Sequence, residues 1–138
     1  MTTDNLLDPK EEDAINPSHY KSHPSGVQCI DISKHLSGCL AQAFQYVWRC
    51  GQKDDPIQEL DKAIWFIKAE MTVDDYAIVN YSAIVGNITL VRSSEVDTRR
   101  AVALSNIAIA NKYTIAHRNN RLASAIQAIE KLKADYLR

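Results

Sequence analysis

All four prolines of this chain, Pro9, Pro17, Pro24 and Pro56, lie in its first 56 residues, and from Ile57 to Arg138 there is no proline and one glycine, Gly86. Proline and glycine are the strongest breakers of regular structure, so a long stretch without them favours helices. With 138 residues, 46% hydrophobic and 24% charged, the chain suits one domain, or a small domain carrying an oligomerisation element. A chain of this size buries roughly 65–70% of its unfolded surface. The composition excludes collagen-like, wholly disordered and disulfide-scaffold classes. No apolar run approaches the ~20 residues of a membrane helix. The opening MTTDNLLDPKEED is acidic and lacks the basic and apolar regions of a secretory signal. A cytoplasmic protein with no membrane partner is therefore expected.

Spacing of apolar residues sets out the elements. Residues 1–14 read as a disordered acidic tail and 15–26 as a loop rich in proline and histidine. In residues 27–37, Val27, Ile30 and His35 fall on one helical side, and Gly38 closes the segment. Leu40, Phe44, Val47 and Trp48 stand at the intervals of an amphipathic helix over 39–50. Asp55 is a cap, Pro56 fits the first helical position and Gln58 completes a capping-box pattern. Ile57, Leu60, Ile64, Ile67 and Met71 continue that second helix. The expected fold is an all-α helical bundle of five or six helices, built on an αα-hairpin over about 39–71 with further C-terminal helices. At 76–91 a short β-hairpin turning at Gly86-Asn87 competes with a helix begun by Thr72 and Asp75. A further helix is expected over 96–117. Another restarts at Asn119 or Asn120, its seam formed by Leu122, Ala125, Ile126, Ile129, Leu132 and Tyr136. That divides the chain into a tail (1–14), a helical domain (15–71) and a C-terminal helical extension (72–138). The extension carries more aliphatic surface than one helix pair hides, which predicts a homo-oligomer, a dimer by base rate.

Net charge is −1, unevenly spread. Residues 54–75 hold seven acids against Lys62 and Lys68, whereas 92–138 hold four acids against nine bases. Such asymmetry pairs subunits or attracts an anion such as a nucleotide, unless the charges are solvated faces. Nucleic acid is not an expected partner. Cys29, Cys39 and Cys50 are odd in number, lack CxxC spacing and sit among apolar residues, so they read as reduced core thiols.

No P-loop, dinucleotide fingerprint, HExxH or nucleophile elbow occurs. His19, His23, Cys29, His35 and Cys39 fit no standard zinc spacing, so no metal ligands are assigned. The best polar constellation is Gln42, Gln45, Arg49 and Lys53, which share a face if the helix continues to Lys53, with Tyr46 at its border. Arg49 offers a planar fork for phosphate, Lys53 a mobile charge, and the glutamines hydrogen bonds to a base or sugar. The alternative is a solvated stripe whose Arg49 pairs with Asp54 or Glu59.

The motifs NPSHY (16–20), VQCIDIS (27–33), AFQYVWRCGQKDD (43–55) and ELDKAIWFI (59–67) together resemble the SaV-like family of small phage proteins, a domain of unknown function. The resemblance covers residues 15–71. The family includes a podophage nucleoside monophosphate kinase without a Walker motif, so the resemblance implies phage origin, a bacterial host cytoplasm and a nucleotide or other phosphate-bearing ligand. Pro17, Ser18, His19 and Tyr20 match its first motif; Tyr46, Arg49, Gly51 and Lys53 match the R-x-G-K-K region; Leu60, Lys62 and Ala63 match D-L-x-K-A. The resemblance thus adds His19, Tyr20 and Lys62 to the candidate ligand residues Gln42, Gln45, Tyr46, Arg49 and Lys53. Gln45 and Gln52 stand where the family carries lysines, and Ala41-Gln42 where it carries glycine-asparagine. Fewer cations disfavour phosphoryl transfer, whose catalysis is mainly electrostatic. Three functions follow as expectations. One is a kinase in which Arg49, Lys53 and Lys62 hold phosphates, His19 or Asp61 serves the acceptor, and magnesium arrives with the nucleotide. The second is an oligomer that sequesters a nucleotide signal, and the third a protein that docks a host factor.

Overall fold

The computed structural model describes residues 23–52, 54–74, 80–112 and 114–137. Among these residues the chain is all-α, with six α-helices and no strand. They are α1 (Cys29–Ser33), α2 (Gly38–Arg49), α3 (Pro56–Met71), α4 (Tyr81–Ser94), α5 (Thr98–Ile109) and α6 (Ile115–Tyr136), with a 3₁₀ turn over Ala110–Lys112. Two helix pairs, α2 with α3 and α5 with α6, pack on one another through α3 against α6 and α2 against α5. The fourth helix lies on α5 and α1.

Each start has a local cause. Asp55 accepts the Ile57 N–H at the head of α3, and Pro56 occupies its first position. Asp97 accepts from Arg99 and Arg100 at the head of α5, and Thr114 from His117 at the head of α6. Ser37 precedes α2 without capping it, because its hydroxyl instead donates to Glu70 Oε1 at 2.8 Å.

One core cluster runs from Val27 to Leu132. Leu40, Phe44, Val47 and Trp48 are buried on α2, as are Leu60, Ile64 and Ile67 on α3, so the hairpin core follows the expected spacing. Leu104, Ile107, Leu122, Ala125, Ile129 and Leu132 enter the same cluster. Much of the aliphatic stripe of 101–137 is thus hidden within the chain, while Val102, Ile115 and Leu137 stay exposed.

Two local expectations are corrected and one open alternative is decided. In α1 the inward residues are Cys29, Ile32 and Ser33, while Ile30 is 52% exposed. A helix of a single turn follows its own anchors rather than the Val27–Ile30 interval. The β-hairpin at 76–91 does not form over 81–91, which is helical; residues 76–79, with Asp75, lie outside the described residues. Ile84, Ile88 and Val91 bury one stripe there. Gly86 sits on the exposed side, where it costs the helix little packing. Thr89 Oγ1 and Ser93 Oγ bond back to Val85 and Leu90 carbonyls within the helix. The helix expected over 96–117 stops at Ile109, where Asn111 leaves helical geometry. The last helix then begins at Ile115 behind the Thr114 cap rather than at Asn119 or Asn120. Finally, acid of 54–75 meets base of 92–138 inside one chain: Asp61 Oδ1 lies 2.6 Å from Lys133 Nζ, and Glu70 Oε2 lies 3.7 Å from Arg118 Nη1. Both contacts tie α3 to α6.

No described helix is long and apolar enough to cross a membrane. All three cysteines are free thiols. Burial pushes the Cys29 thiol up to about 12 and raises Cys50 also, so neither supplies a thiolate at neutral pH.

Candidate functional site

The polar side of α2 rests on the α2–α3 hairpin. Because Arg49 ends α2 and Glu59 opens α3, the short connection brings them face to face. Arg49 Nε donates to Glu59 Oε2 at 2.7 Å and Nη2 to Oε1 at 3.2 Å, a two-pronged pair. Glu59 is 1% exposed in its side chain and Arg49 20%. Of the two sequence alternatives for Arg49, the ion pair with Glu59 forms. The guanidinium carbon also lies 4.7 Å from the Tyr46 ring centroid, and Lys62 Nζ lies 5.5 Å from it. Phe66 stacks on the same ring, centroid to centroid 5.9 Å.

Tyr46, Arg49 and Lys62 therefore come together, one turn apart on α2 and across the hairpin on α3. Gln42 is exposed on α2 and Gln45 half-buried. His19, Tyr20 and Lys53 lie outside the described residues. Of the residues weighed as zinc ligands, His19 lies outside as well, and no three histidine, cysteine or acidic side chains among the described residues cluster as a metal site.

A second feature escaped the sequence reading. At the C-terminal end of α2 opens a cleft of about 410 Å³. It is walled by His23, Trp48, Gly51, Glu95, Arg100 and Tyr136, with Gln52, Val96 and Asp97 at its sides. Arg100, on the first turn of α5, donates to the Val47, Trp48 and Cys50 carbonyls, the last two at 3.2 and 3.0 Å. It thereby serves the orphan carbonyls that close α2, where a cation also meets the negative end of the helix dipole. Its Nε lies 3.7 Å from Glu95 Oε1.

His23 completes this frame. The Ser25 N–H donates to its Nδ1 at 3.1 Å, which makes that nitrogen an acceptor and turns Nε2 toward Glu95 Oε1, 3.3 Å away. The imidazole lies 4.8 Å from the Trp48 ring. Ser25 Oγ is 2.8 Å from Nδ1, which superficially completes a serine–histidine–glutamate relay. The same hydroxyl accepts the Val27 N–H at 3.1 Å and lies outside the cleft wall, so the arrangement fixes the turn over 23–27. Gly51 takes a left-handed φ of +87°, and a Cβ there would stand 2.9 Å from the Tyr136 hydroxyl. The turn and the close approach of α6 both require glycine.

Sequence spacing could not find this cleft, because its walls come from His23 and Pro24, the end of α2 and the turn after it, the α4–α5 link with the first turn of α5, and the last turn of α6. One local signal existed: the aspartate cap at Asp97 places Arg100 in the first turn of α5.

No curated protein and no solved structure matches the chain. The segment from residue 15 to residue 68, which carries α1, α2 and most of α3, matches the model of a protein family of unknown function, DUF3310.

Proposed function

We propose that this is a phage-encoded, SaV-like protein that binds a nucleotide or related phosphate-bearing small molecule on the Tyr46–Arg49–Lys62 face, without turning it over. The observation that carries this reading is the pair of cations around one aromatic ring: Arg49 and Lys62 lie 4.7 and 5.5 Å from the Tyr46 centroid. Lys62 is exposed and able to meet a phosphate as a point charge. Glu59 holds the Arg49 fork in a fixed plane, so less rotamer freedom is lost when an anion arrives. The same carboxylate offsets half of the positive charge. Phosphoryl transfer needs dense cationic stabilisation, so the finer kinase reading, with magnesium carried by its nucleotide, rests on the family resemblance alone. Sequestration in the cytoplasm of a bacterial host is the function that fits a binding face of this strength.

Assembly into a homo-oligomer, and docking of a host protein, belong to the same proposal. The support is apolar surface left outside the core, with Trp65 66%, Leu90 51% and Val102 41% exposed. Light scattering that returns a monomer at tens of micromolar removes the oligomer.

A thermal-shift panel of nucleoside mono-, di- and triphosphates and cyclic nucleotides, with and without magnesium, tests the binding reading. A ligand at 100 times its dissociation constant should add ~2.7 kcal/mol. Lys62→Gln should weaken that ligand about tenfold or more with the fold intact. A flat panel overturns the proposal, and product formation replaces binding with catalysis.

A further inference from the structure

We infer that the cleft at the C-terminal end of α2 is a second binding site, for an uncharged, hydrogen-bonding heteroaromatic molecule of nucleobase or nucleoside size. It is independent of the cationic face around Tyr46.

Size comes first. A volume of about 410 Å³ sits near the lower end of small-molecule sites, which run to ~1,000 Å³. It accommodates a single ring system with a substituent better than an extended dinucleotide. The walls suit a flat ring, since Tyr136 is 41% exposed beside the mostly buried Trp48 and His23 rings, and Gly51 presents backbone without a side chain.

Charge then narrows the class. Arg100 is the cation in the wall, and its Nη1 and Nη2 groups are directed at the Val47, Trp48 and Cys50 carbonyls. Its Nε faces Glu95. A phosphate entering here would meet Glu95, Asp97 and the negative end of α2, with Arg100 already engaged. Asp97 stays ionised, because Arg99 and the first amides of α5 hold its carboxyl below the ordinary value. A cationic ligand would have to displace Arg100 and His23 from Glu95, and Arg99 from Asp97. An aliphatic ligand would strand the polar groups of the wall. An uncharged ring with its own donors and acceptors satisfies the aromatic surface and the polar atoms together.

The two tryptophans make the test direct. Trp65 is exposed on α3, so Trp65→Phe in the full chain leaves Trp48, in the cleft wall, as the reporter. Adenosine, guanosine, cytidine and uridine are titrated, then their 5′-monophosphates, following Trp48 emission with calorimetry as a second measure. At least one nucleoside should change the emission saturably, and its monophosphate should need about tenfold higher concentration to change it. Val96→Tyr, at a position 89% exposed on the cleft side, should weaken the nucleoside at least tenfold by occupying the space. Lys62→Gln should leave it unchanged. The inference falls if no nucleoside changes Trp48 emission, if monophosphates change it at concentrations as low as nucleosides do, or if Lys62→Gln weakens the nucleoside as Val96→Tyr was expected to do. Loss of phosphate binding alone would instead overturn the proposal for the Tyr46 face and leave the cleft standing.

Discussion

Glutamates near the two ends of α3 each hold an arginine, and the two pairs differ in what they join. Glu59 takes Arg49 from the neighbouring helix, ten positions away, and the guanidinium keeps 20% of its side-chain surface. Glu70 takes Arg118 from α6, across nearly the whole length of the second half, and Arg118 is fully buried. Arg118 also donates to the Met71 carbonyl and to Asn119 Oδ1, while Ser37 donates to Glu70. The first pair lies at the edge of a face that can still meet a ligand. The second is sealed and can only join helices. The same residue types thus do different work, one pair as a two-pronged hydrogen bond at 2.7 and 3.2 Å and the other as a sealed contact at 3.7 Å. A buried charge without its partner keeps the full cost of desolvation.

The largest effect should come from breaking the sealed pair. Arg118→Ala leaves Glu70 buried without its cation and should cost roughly 3–5 kcal/mol in chemical denaturation. Replacing both partners at once, Glu70→Leu with Arg118→Met, should return much of that loss, because no charge is stranded. If the double variant is no better than the single one, the pair is more than a charge balance. Arg49→Gln should cost less, about 1–3 kcal/mol, because water can approach from the open side. A loss as large as that at Arg118 would mean that the two pairs are equivalent, and that the Tyr46 face is structural.

Gly51→Ala probes a third kind of constraint, where neither charge nor burial of an apolar group is at stake. Adopting its left-handed φ should cost about 1–2 kcal/mol, with a further loss from the Tyr136 hydroxyl. Tyr136→Phe in the same chain should relieve only that second part, as a double-mutant cycle would report. The smallest effect is pH-dependent. Arg99 holds the Asp97 carboxyl below its ordinary value. Its contribution to stability is therefore complete above the normal carboxylate range and disappears as pH falls through the lowered value. Asp97→Asn should flatten that part of the acid profile while keeping a side-chain oxygen to cap α5.

Hairpin and core were legible because their signals are local. Asp55-Pro56 marks a start, and Leu40, Phe44, Val47 and Trp48 repeat at helical intervals. Arg49 with Glu59 was also visible as one of two alternatives, for the same reason. The α5–α6 break was not legible, because the Ala-rich sequence carries no proline or glycine there, although Asn111 leaves helical geometry and Thr114 caps the next helix. The helix over Tyr81–Ser94 was ambiguous because its valines, isoleucines and threonine favour strands in isolation, and a buried stripe of three residues decided the matter. The cleft was illegible for the deepest reason: its walls are far apart in sequence, and nothing in His23, Glu95 or Tyr136 alone announces the others.

The clamp of Arg100 on the carbonyls of Val47, Trp48 and Cys50 also orders events during synthesis. A ribosome making this chain releases α2 about fifty residues before the arginine that closes it. Until then Gln52 serves the Arg49 and Trp48 carbonyls from within the hairpin, and those of Val47 and Cys50 lack the guanidinium. The loop that brings Arg100 back carries the entropy of its length. The nascent hairpin therefore waits, frayed at the end that will wall the cleft, and the cleft appears only when the second half of the chain has left the exit tunnel.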